Sequence, residues 1–240
     1  MRCLAIIPAY NEGGSVADVV REIRTQQPDC DFVVVDDGSR DTTARVAGGA
    51  GAIVLELPFN LGIGGAVQTG YRYAWVNGYD IAIQVDADGQ HPPSEMSKVI
   101  APILDDTADM VTGTRFRGVG EFQSSGSRRI GIELFARLVS LIIRERVTDT
   151  TSGFRAVNRK GIALFSVDYP QDYPEVETTA LAHRHGLRLV EVPVEMNQRQ
   201  AGESSIRLGG SVYYVVKVTL ALLIGLFRSP VILPIDSDRR

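Results

Sequence analysis

The sequence predicts an α/β protein in which helices flank a mainly parallel central sheet. Short apolar runs typical of buried strands alternate with segments of helical periodicity, and acidic or glycine-rich turns follow several of these runs. Sheets of this kind bind their ligands at the carboxyl ends of the strands, where these turns are expected. With 240 residues and 44% hydrophobic content, the chain can bury a substantial core in one large domain or two small ones.

The individual elements follow from local patterns. Strands are predicted where short apolar runs end in Pro, Asp or Gly, and helices where apolar residues recur with a period of about 3.6. The predicted strands are residues 3–9, 32–35, 53–57, 81–85 and one that begins at 110–112. The predicted helices are residues 16–27, 42–47, 63–76 and 93–104, the first with Ser15 as its N-cap.

The segment 81–92 carries the most information about function. Its apolar strand leads directly into Asp86 and Asp88, which are spaced i, i+2 and share a face if the strand continues. With Gln90 as a further oxygen donor they suit Mg²⁺ or Mn²⁺, which also accept waters and substrate phosphates as ligands. Taken alone, the pattern favours a solvated turn, and the neighbouring motifs reverse that preference. His91 follows, and capping of the next helix is an equally good role for it.

Polar residues also follow the first two predicted strands, at residues 10–12 and 36–38, so the same edge of the sheet is expected to gather them. A glycine cluster at residues 60–65 opens the third helix. Its backbone N–H groups and the helix dipole can face a diphosphate, whereas the same glycines equally suit close packing of a helix on the sheet.

Composition excludes several classes of protein. The net charge is −4 and no basic run occurs, which argues against nucleic-acid binding. Cys3 and Cys30 lack the spacing of a metal site and are expected to be free thiols in a reducing cytosol. Because a strand begins almost at once, we expect no signal peptide.

Several motifs occur in a fixed order along the chain. They are Pro8-Ala9-Tyr10-Asn11-Glu12, Val35-Asp36-Asp37-Gly38-Ser39-Arg40-Asp41, Asn60-Leu61-Gly62, Asp86-Ala87-Asp88-Gly89-Gln90-His91-Pro92, Gly113-Thr114-Arg115-Phe116, Thr151-Ser152-Gly153-Phe154-Arg155 and Arg199-Gln200-Ala201-Gly202-Glu203-Ser204-Ser205. In order and spacing the chain resembles family 2 glycosyltransferases, and within them the polyprenyl-phosphate branch that includes dolichol-phosphate mannose synthase. The resemblance covers about residues 3–206.

The resemblance implies a GT-A fold and a UDP- or GDP-sugar donor, with Mg²⁺ or Mn²⁺ as cofactor and inversion at the anomeric carbon. The residues that it assigns to the donor pocket are Pro8, Tyr10, Glu12, Asp37 and Gly62, with Asp37 bonding the base. It assigns Asp86, Asp88 and Gln90 to the metal, with Asp86 also near the ribose. A divalent cation there offsets the charge that the departing nucleoside diphosphate gains.

The expected acceptor is a polyprenyl phosphate, which is already anionic and needs cations more than it needs a base. Arg115 and Arg155 are favoured for this role because they lie in matched motifs. The remaining candidates for substrate contacts are Arg128, Arg129, Arg199 and Ser204. A hydroxyl acceptor needs a carboxylate base instead. Asp149 is the first candidate for that base, followed by Glu175 and Glu177, acids that equally suit the first turn of a helix.

Two apolar stretches bear on membranes. Residues 130–143 predict an amphipathic helix, which equally suits an ordinary helix covering the sheet. Residues 212–227 are interrupted only by Lys217, but at ~1.5 Å per residue this helix is shorter than the ~30 Å hydrocarbon core. We therefore predict a glycosyltransferase domain at 1–210 and a C-terminal apolar helix with a polar tail at 211–240. That helix contacts the membrane interface or a partner, or else packs into the core or a homo-oligomer.

The chain is thus expected to be a cytoplasmic enzyme of cell-envelope synthesis, peripheral at the inner face of the cell membrane, with a homo-oligomeric or integral-membrane partner left open. Transfer to a hydroxyl of a glycan or small molecule is the alternative reaction. A catalytically silent nucleotide-sugar-binding subunit is a different class, and the intact Asp37, Asp86 and Asp88 argue against it. Trp75 is the only Trp, so the Gln/Arg-x-x-Arg-Trp motif of processive polymerising relatives is absent.

Overall fold

A mixed seven-stranded sheet forms the centre of the computed structural model, which describes residues 1–114, 140–141, 148–149, 152–197, 217–220, 222 and 233–234. Within these residues the strands are β1 (Cys3–Ala9), β2 (Cys30–Asp36), β3 (Ile53–Glu56), β4 (Ile81–Gln84), β5 (Met110–Thr114), β6 (Arg155–Asn158) and β7 (Leu189–Pro193). Their order is β3-β2-β1-β4-β6-β5-β7. Only β6 runs antiparallel to its neighbours β4 and β5, a reversal that the alternation of strands and helices did not predict.

The four predicted helices lie close to their predicted positions, and further helices follow later in the chain. Within the described residues they are α1 (Val16–Gln26), α2 (Thr43–Gly49), α3 (Gly62–Val76), α4 (Met96–Leu104), α5 (Arg159–Val167) and α6 (Pro174–Arg184). The predicted helix at 93–104 begins as a separate 3-10 turn, Pro93–Glu95. Ser15 occupies the N-cap position of α1 but does not cap it, because its hydroxyl donates to the Glu12 carboxylate over 2.8 Å.

β1 lies between two apolar layers. Its side chains alternate between the two faces of the sheet, with Ala5 and Ile7 in one core cluster and Leu4 and Ile6 in the other. Helices α1, α2 and α4 supply the first cluster, and α3, α5 and α6 supply the second. Because all four of these residues are at most 1% exposed, the ends of the strands are where the parallel sheet meets solvent.

Most of the predicted C-terminal apolar helix lies outside the described residues. Residues 217–220 and 222 are helical, and among them Val218 and Leu222 are buried. The Lys217 ammonium lies 3.3 Å from the carboxylate of Asp172, just before α6. In the described part of the chain no helix is both long and apolar enough to cross a membrane. Of the predicted amphipathic helix at 130–143, only residues 140 and 141 are described, and both are helical.

The two cysteines provide a test of the pairing between β1 and β2. Cys3 and Cys30 are free thiols directly opposite each other in the parallel register, with 2.8 Å between their sulfur atoms. The hydrogen bond from Cys30 to Cys3, together with burial, holds the pKa of Cys30 above its usual range. Neighbouring strands lie about 4.8 Å apart, which is within the range of Cα separations that a disulfide spans.

We expect diamide to join Cys3 and Cys30 within one chain, with the loss of two hydrogens measurable by intact mass spectrometry. The reaction should accelerate as the pH rises, because the raised pKa of Cys30 keeps its thiol protonated near neutrality. The Cys30→Ser variant is the control and should form no intramolecular link. Two thiols that remain fully alkylatable after prolonged oxidation would show that the register of β1 and β2 is wrong.

Candidate active site

The predicted functional residues gather at one edge of the sheet. The chain runs from β1 outward through β2 to β3 and then crosses back, so that β4 pairs with the other side of β1. The strand order therefore reverses between β1 and β4, and such a switch point leaves a crevice at the carboxyl ends of the strands. Residues 10–12 follow β1 and residues 86–88 follow β4, so both motifs border this crevice.

The loops that follow β1 and β2 are bonded into one unit. The backbone N–H of Asn11 donates to Ser39 Oγ, and the backbone N–H of Arg40 donates to Asn11 Oδ1, each over 2.9 Å. The Glu12 N–H donates to Thr43 Oγ1 over 2.9 Å. These bonds form although Asn11 has a φ of 56°, a left-handed conformation that asparagine tolerates better than most residues. The backbone around the predicted nucleoside pocket is therefore fixed by hydrogen bonds between loops.

The three residues predicted to line that pocket differ in exposure. Pro8 is buried within β1, Glu12 is partly buried, and Tyr10 is 44% exposed at the end of the strand. The carboxylate of Glu12 accepts from Ser15. Tyr10 thus presents an aromatic ring at the crevice, while Pro8 and Glu12 support the turn. Their contacts with a nucleoside stay a prediction.

Asp37, predicted to bond the base, is attached to the start of α3. The residue is 3% exposed, and its two carboxylate oxygens accept from the N–H groups of Leu61 and Gly62 over 2.7 and 2.9 Å. Burial raises the pKa of Asp37 above its usual value, and the two backbone hydrogen bonds partly offset that rise. The Gly62 N–H also donates to Asn60 Oδ1 over 3.1 Å. Asp37 therefore anchors the glycine cluster whatever its contact with a base.

The glycine cluster serves close packing at two of its positions, Gly64 and Gly65. A Cβ on Gly65 would lie 2.5 Å from the Cβ of Leu61. A Cβ on Gly64 would lie 2.4 Å from the carbonyl oxygen of Pro170 and 2.6 Å from the Cα of Gln171, so only glycine fits there. Gly62 has a φ of +83° with no atom near a potential Cβ, so its reason for being glycine is the backbone conformation. Packing thus explains Gly64 and Gly65, and Gly62 remains the candidate for a donor contact.

The carboxylates of the metal motif lie in a tight turn after β4. Asp88 is 3% exposed, and its Oδ1 accepts from the Gln90 N–H over 2.9 Å. Asp86 is less buried, and its Oδ1 accepts from the Gln84 side-chain amide over 2.9 Å. The backbone N–H of Asn197 donates to the Gln90 carbonyl over 3.0 Å, which ties the turn to the segment after β7.

The chemistry of this donor set fits a hard divalent cation. Asp86, Asp88 and Gln90 offer carboxylate and amide oxygens, the ligands that Mg²⁺ and Mn²⁺ take. Within the described residues no group of three or more His, Cys, Asp or Glu side chains is arranged to hold a metal ion, so the metal site stays a prediction.

Arg155, predicted to hold the acceptor phosphate, has its guanidinium in the interior. The residue is 3% exposed and donates to Thr178 Oγ1 and to the carbonyl oxygens of Pro174 and Glu175. These bonds attach the start of β6 to the first turn of α6. Desolvation raises the pKa of Glu175, with the charge of Asp86 adding to the rise and that of Arg155 opposing it. Glu175 therefore lies within electrostatic reach of both Arg155 and Asp86.

Asp149, the predicted base for a hydroxyl acceptor, is 1% exposed. Its N–H donates to Glu191 Oε1 over 3.2 Å, and the Thr148 N–H donates to the same oxygen over 2.8 Å. Glu191 belongs to β7, so it holds this segment against the sheet. Glu191 was not among the predicted residues, because nothing in the sequence near it indicates which distant backbone groups it would meet. The other predicted contacts, Arg115, Arg128, Arg129, Arg199 and Ser204, lie outside the described residues.

Two further residues at the crevice are partners of Asp86. Gln84 is a polar residue in an otherwise apolar buried strand, which is the one sequence signal that could have revealed it. His91 does not cap a helix, since no side chain caps either the 3-10 turn or α4. Its Nδ1 instead accepts from the backbone N–H of Asp86 over 3.1 Å, so the ring faces the metal motif.

A pair of carboxylates at the switch point of an α/β sheet is typical of enzymes that bind phosphate-bearing ligands at the strand ends. Residues 4–165 match the family model described as glycosyl transferase family 2, and the chain belongs to that family. The predicted family is thereby confirmed, and the chain is a glycosyltransferase.

Individual relatives resemble most of the chain. The undecaprenyl-phosphate mannosyltransferase of Micrococcus luteus is 32% identical over 228 residues, covering 91% of this chain and 93% of the relative. The UDP-N-acetylglucosamine–dolichyl-phosphate N-acetylglucosaminyltransferase of Methanococcus voltae is 29% identical over 232 residues, covering 87% and 92%. Glucosyl-3-phosphoglycerate synthase of Mycobacterium tuberculosis, solved with Mn²⁺, UDP and phosphoglyceric acid, has a TM-score of 0.69 at 21% identity, covering 93% of this chain and 78% of that chain. At 21% identity, the similarity to the glucosyl-3-phosphoglycerate synthase shows the fold alone.

Replacing Asp37 tests its anchoring role. We expect Asp37→Ala to lower the free energy of unfolding by about 1–3 kcal/mol, because the N–H groups of Leu61 and Gly62 both lose their partly buried carboxylate acceptor. Asp37→Asn keeps one acceptor oxygen and should cost less. Urea unfolding followed by circular dichroism measures both changes.

The matched control is Asp18→Ala, which removes an exposed carboxylate paired with Arg21 on α1. Its effect should stay within about 0.5 kcal/mol. Equal stabilities for the Asp37→Ala and Asp18→Ala proteins would contradict the anchoring role. Calorimetric titration of UDP and GDP into the folded Asp37→Asn protein then tests the separate prediction that Asp37 contacts the base.

Proposed function

We propose that this enzyme transfers a sugar from a UDP- or GDP-sugar to a polyprenyl phosphate, with a divalent cation and with inversion at the anomeric carbon. The observation that carries the proposal is the position of Asp86 and Asp88, two carboxylates in a tight turn at the switch point between β1 and β4. Such a crevice accommodates a nucleoside diphosphate beside the carboxylates.

On the donor side, the proposal assigns the nucleoside to the joined loops after β1 and β2, beside Tyr10 and Asp37. Asp86, Asp88 and Gln90 would hold Mg²⁺ or Mn²⁺ at the diphosphate. The cation supplies positive charge to the departing nucleoside diphosphate, whose negative charge grows as the glycosidic bond breaks. The protein fixes the direction of these ligands, since the turn 88–90 is closed by its own hydrogen bond.

On the acceptor side, support comes from relatives. The enzymes named for transfer to undecaprenyl phosphate and to dolichyl phosphate each match about nine tenths of this chain. They are named for different sugars, so the shared feature is the lipid phosphate. A phosphate oxygen attacks without needing a strong base. Arg115 and Arg155, helped by Arg128 or Arg129, are proposed to hold the acceptor. Single displacement by that oxygen inverts the anomeric carbon.

A hydroxyl acceptor is the second candidate, and the raised pKa of Glu175 is the observation that favours it. The pKa of its carboxyl is raised by desolvation in the neighbourhood of Asp86, and a general base works best with a pKa near the operating pH. Asp149 is the other carboxylate proposed for that reaction. The nature of the acceptor therefore decides whether these acids take part in chemistry.

A lipid acceptor requires the site to reach a bilayer surface. We assign this contact to the segment 212–227 and propose a peripheral enzyme at the inner face of the cell membrane. The ion pair of Lys217 with Asp172 and the burial of Val218 and Leu222 attach part of this segment to the protein body. Leu220, a described residue of this segment, is 51% exposed and would then be available to lipid or to a partner.

The acceptor class is tested with purified protein, a panel of radiolabelled UDP- and GDP-sugars, and three acceptors in detergent: a polyprenyl phosphate, the matching polyprenol, and free monosaccharides. We expect label in the polyprenyl phosphate alone, in a product that dilute acid cleaves as a glycosyl phosphate. Transfer to the polyprenol or to sugars, with none to the phosphate, would support the hydroxyl alternative and contradict the proposal.

Metal dependence is tested with Asp88→Asn, which removes a charge and keeps the size. We expect transfer to fall about a hundredfold or more, because a catalytic cation supplies several kcal/mol of charge stabilisation. EDTA should abolish wild-type transfer and Mn²⁺ or Mg²⁺ should restore it. Asp18→Asn on the exposed face of α1 is the control and should retain full activity. Undiminished turnover of Asp88→Asn in EDTA would exclude the proposed metal site.

A further inference from the structure

We propose that Gln84 and His91 are positioning residues that hold the carboxylate of Asp86 from two sides, and that Gly153 keeps the space they need. The inference rests on the proposed function for the identity of the ligand, a divalent cation with a nucleoside diphosphate. It concerns residues from three separate parts of the chain: strand β4, the turn that follows it, and the segment before β6.

Gln84 supplies the first contact. It is 5% exposed in a strand whose four residues are all buried, and its side-chain amide donates to Asp86 Oδ1 over 2.9 Å. An amide in an apolar interior is costly unless it is bonded, whereas an aliphatic side chain at this position would stabilise the core. The position of a polar residue in this strand is therefore explained by its bond to Asp86.

His91 supplies the second contact. The Asp86 N–H donates to Nδ1 over 3.1 Å, so the neutral ring carries its proton on Nε2. That nitrogen lies 3.7 Å from Asp86 Oδ2, an electrostatic contact longer than a hydrogen bond. The ring is 3% exposed and stacks on Phe154, with 4.8 Å between ring centroids and 15° between planes. Stacking fixes the ring so that one side chain contacts both the backbone and the carboxylate of Asp86.

Gly153 makes room for this arrangement. A Cβ at this residue would lie 2.8 Å from the Gln84 amide nitrogen and 3.5 and 3.6 Å from the oxygens of Asp86. Its backbone is not in the left-handed region, so the reason for glycine is space and not conformation. The sequence neighbour Phe154 carries the ring on which His91 stacks. The same short segment therefore supports one contact and leaves room for the other.

Together these contacts restrict the carboxylate plane of Asp86. Oδ1 is engaged by Gln84 and Oδ2 faces His91, so rotation of the carboxylate would break one contact or the other. Outer partners of this kind orient metal-binding groups, and their loss typically weakens metal affinity or activity by about 10–100-fold. The alternative is that Gln84 and His91 serve only the packing of the core.

The experiment compares four variants with the wild-type protein. His91→Phe keeps a ring for stacking but loses both nitrogens, whereas His91→Asn can keep an acceptor for the Asp86 N–H. Gln84→Met keeps the length of the side chain and loses the amide. Gly153→Ala leaves every polar group in place and displaces the Gln84 amide, and Gly49→Ala is its control because nothing lies near a Cβ there.

Mn²⁺ binding in the presence of UDP or GDP is measured by the loss of the free Mn²⁺ electron paramagnetic resonance signal, alongside the melting temperature and the kcat and KM for donor. We expect His91→Phe, Gln84→Met and Gly153→Ala to bind Mn²⁺ about tenfold more weakly or worse, with His91→Asn between His91→Phe and wild type. Gly49→Ala should match the wild type.

A purely structural role predicts a different pattern. If the folded His91→Phe, Gln84→Met and Gly153→Ala proteins bind Mn²⁺ and nucleotide as the wild type does, with only lower melting temperatures, the positioning role is overturned. A wild-type protein that binds neither Mn²⁺ nor UDP or GDP would overturn the proposed function instead, and the positioning role with it. Nitrogen NMR of the metal-free protein provides an independent check, since a His91 ring protonated on Nδ1 and not on Nε2 would contradict the geometry.

Discussion

The return of the chain from β3 to the far side of β1 is the constraint on which the site depends. Because β1 pairs with both β2 and β4 in parallel, the turns after these strands must open at one edge. The two core clusters cover both faces of β1, so solvent reaches the sheet at the strand ends. Residues more than seventy positions apart, such as Asn11 and Asp86, are thereby brought to one crevice without any direct bond between them.

Local patterns in the sequence were sufficient for the elements of the first half of the chain, but they did not predict β6, β7 or α5. Apolar runs and periodicity predicted β1 to β5 and α1 to α4 to within a few residues. The reversal of β6 escaped prediction because strand direction depends on how the chain connects elements, and a four-residue strand carries no sign of it. The prediction of a donor set of Asp86, Asp88 and Gln90 rests on i, i+2 spacing, which is a local property of the sequence, and it stays a prediction.

Contacts between distant residues explain what the sequence left open at the site. The glycine cluster suited both a diphosphate cradle and close packing, and the choice at Gly64 depends on the backbone of Pro170 and Gln171, a hundred residues later in the chain. Similarly, Asp37 reads as an isolated carboxylate in sequence but accepts two N–H groups from the start of α3. Such contacts have no local signature, because they arise only when two separate elements pack.

The buried polar residues at this edge indicate a site that is organised in advance of ligand binding. Gln84, Asp37 and Arg155 are each at most 5% exposed, and burial of such groups disfavours folding unless they are bonded. Each is hydrogen-bonded to a group at the crevice or to the element behind it, and these bonds offset the free-energy cost of burial. The same bonds fix the backbone around the crevice and the carboxylate of Asp86. A developing negative charge is stabilised best by groups that need not reorient when it forms. Rigid support behind the crevice is therefore the contribution to glycosyl transfer that we propose for these buried residues.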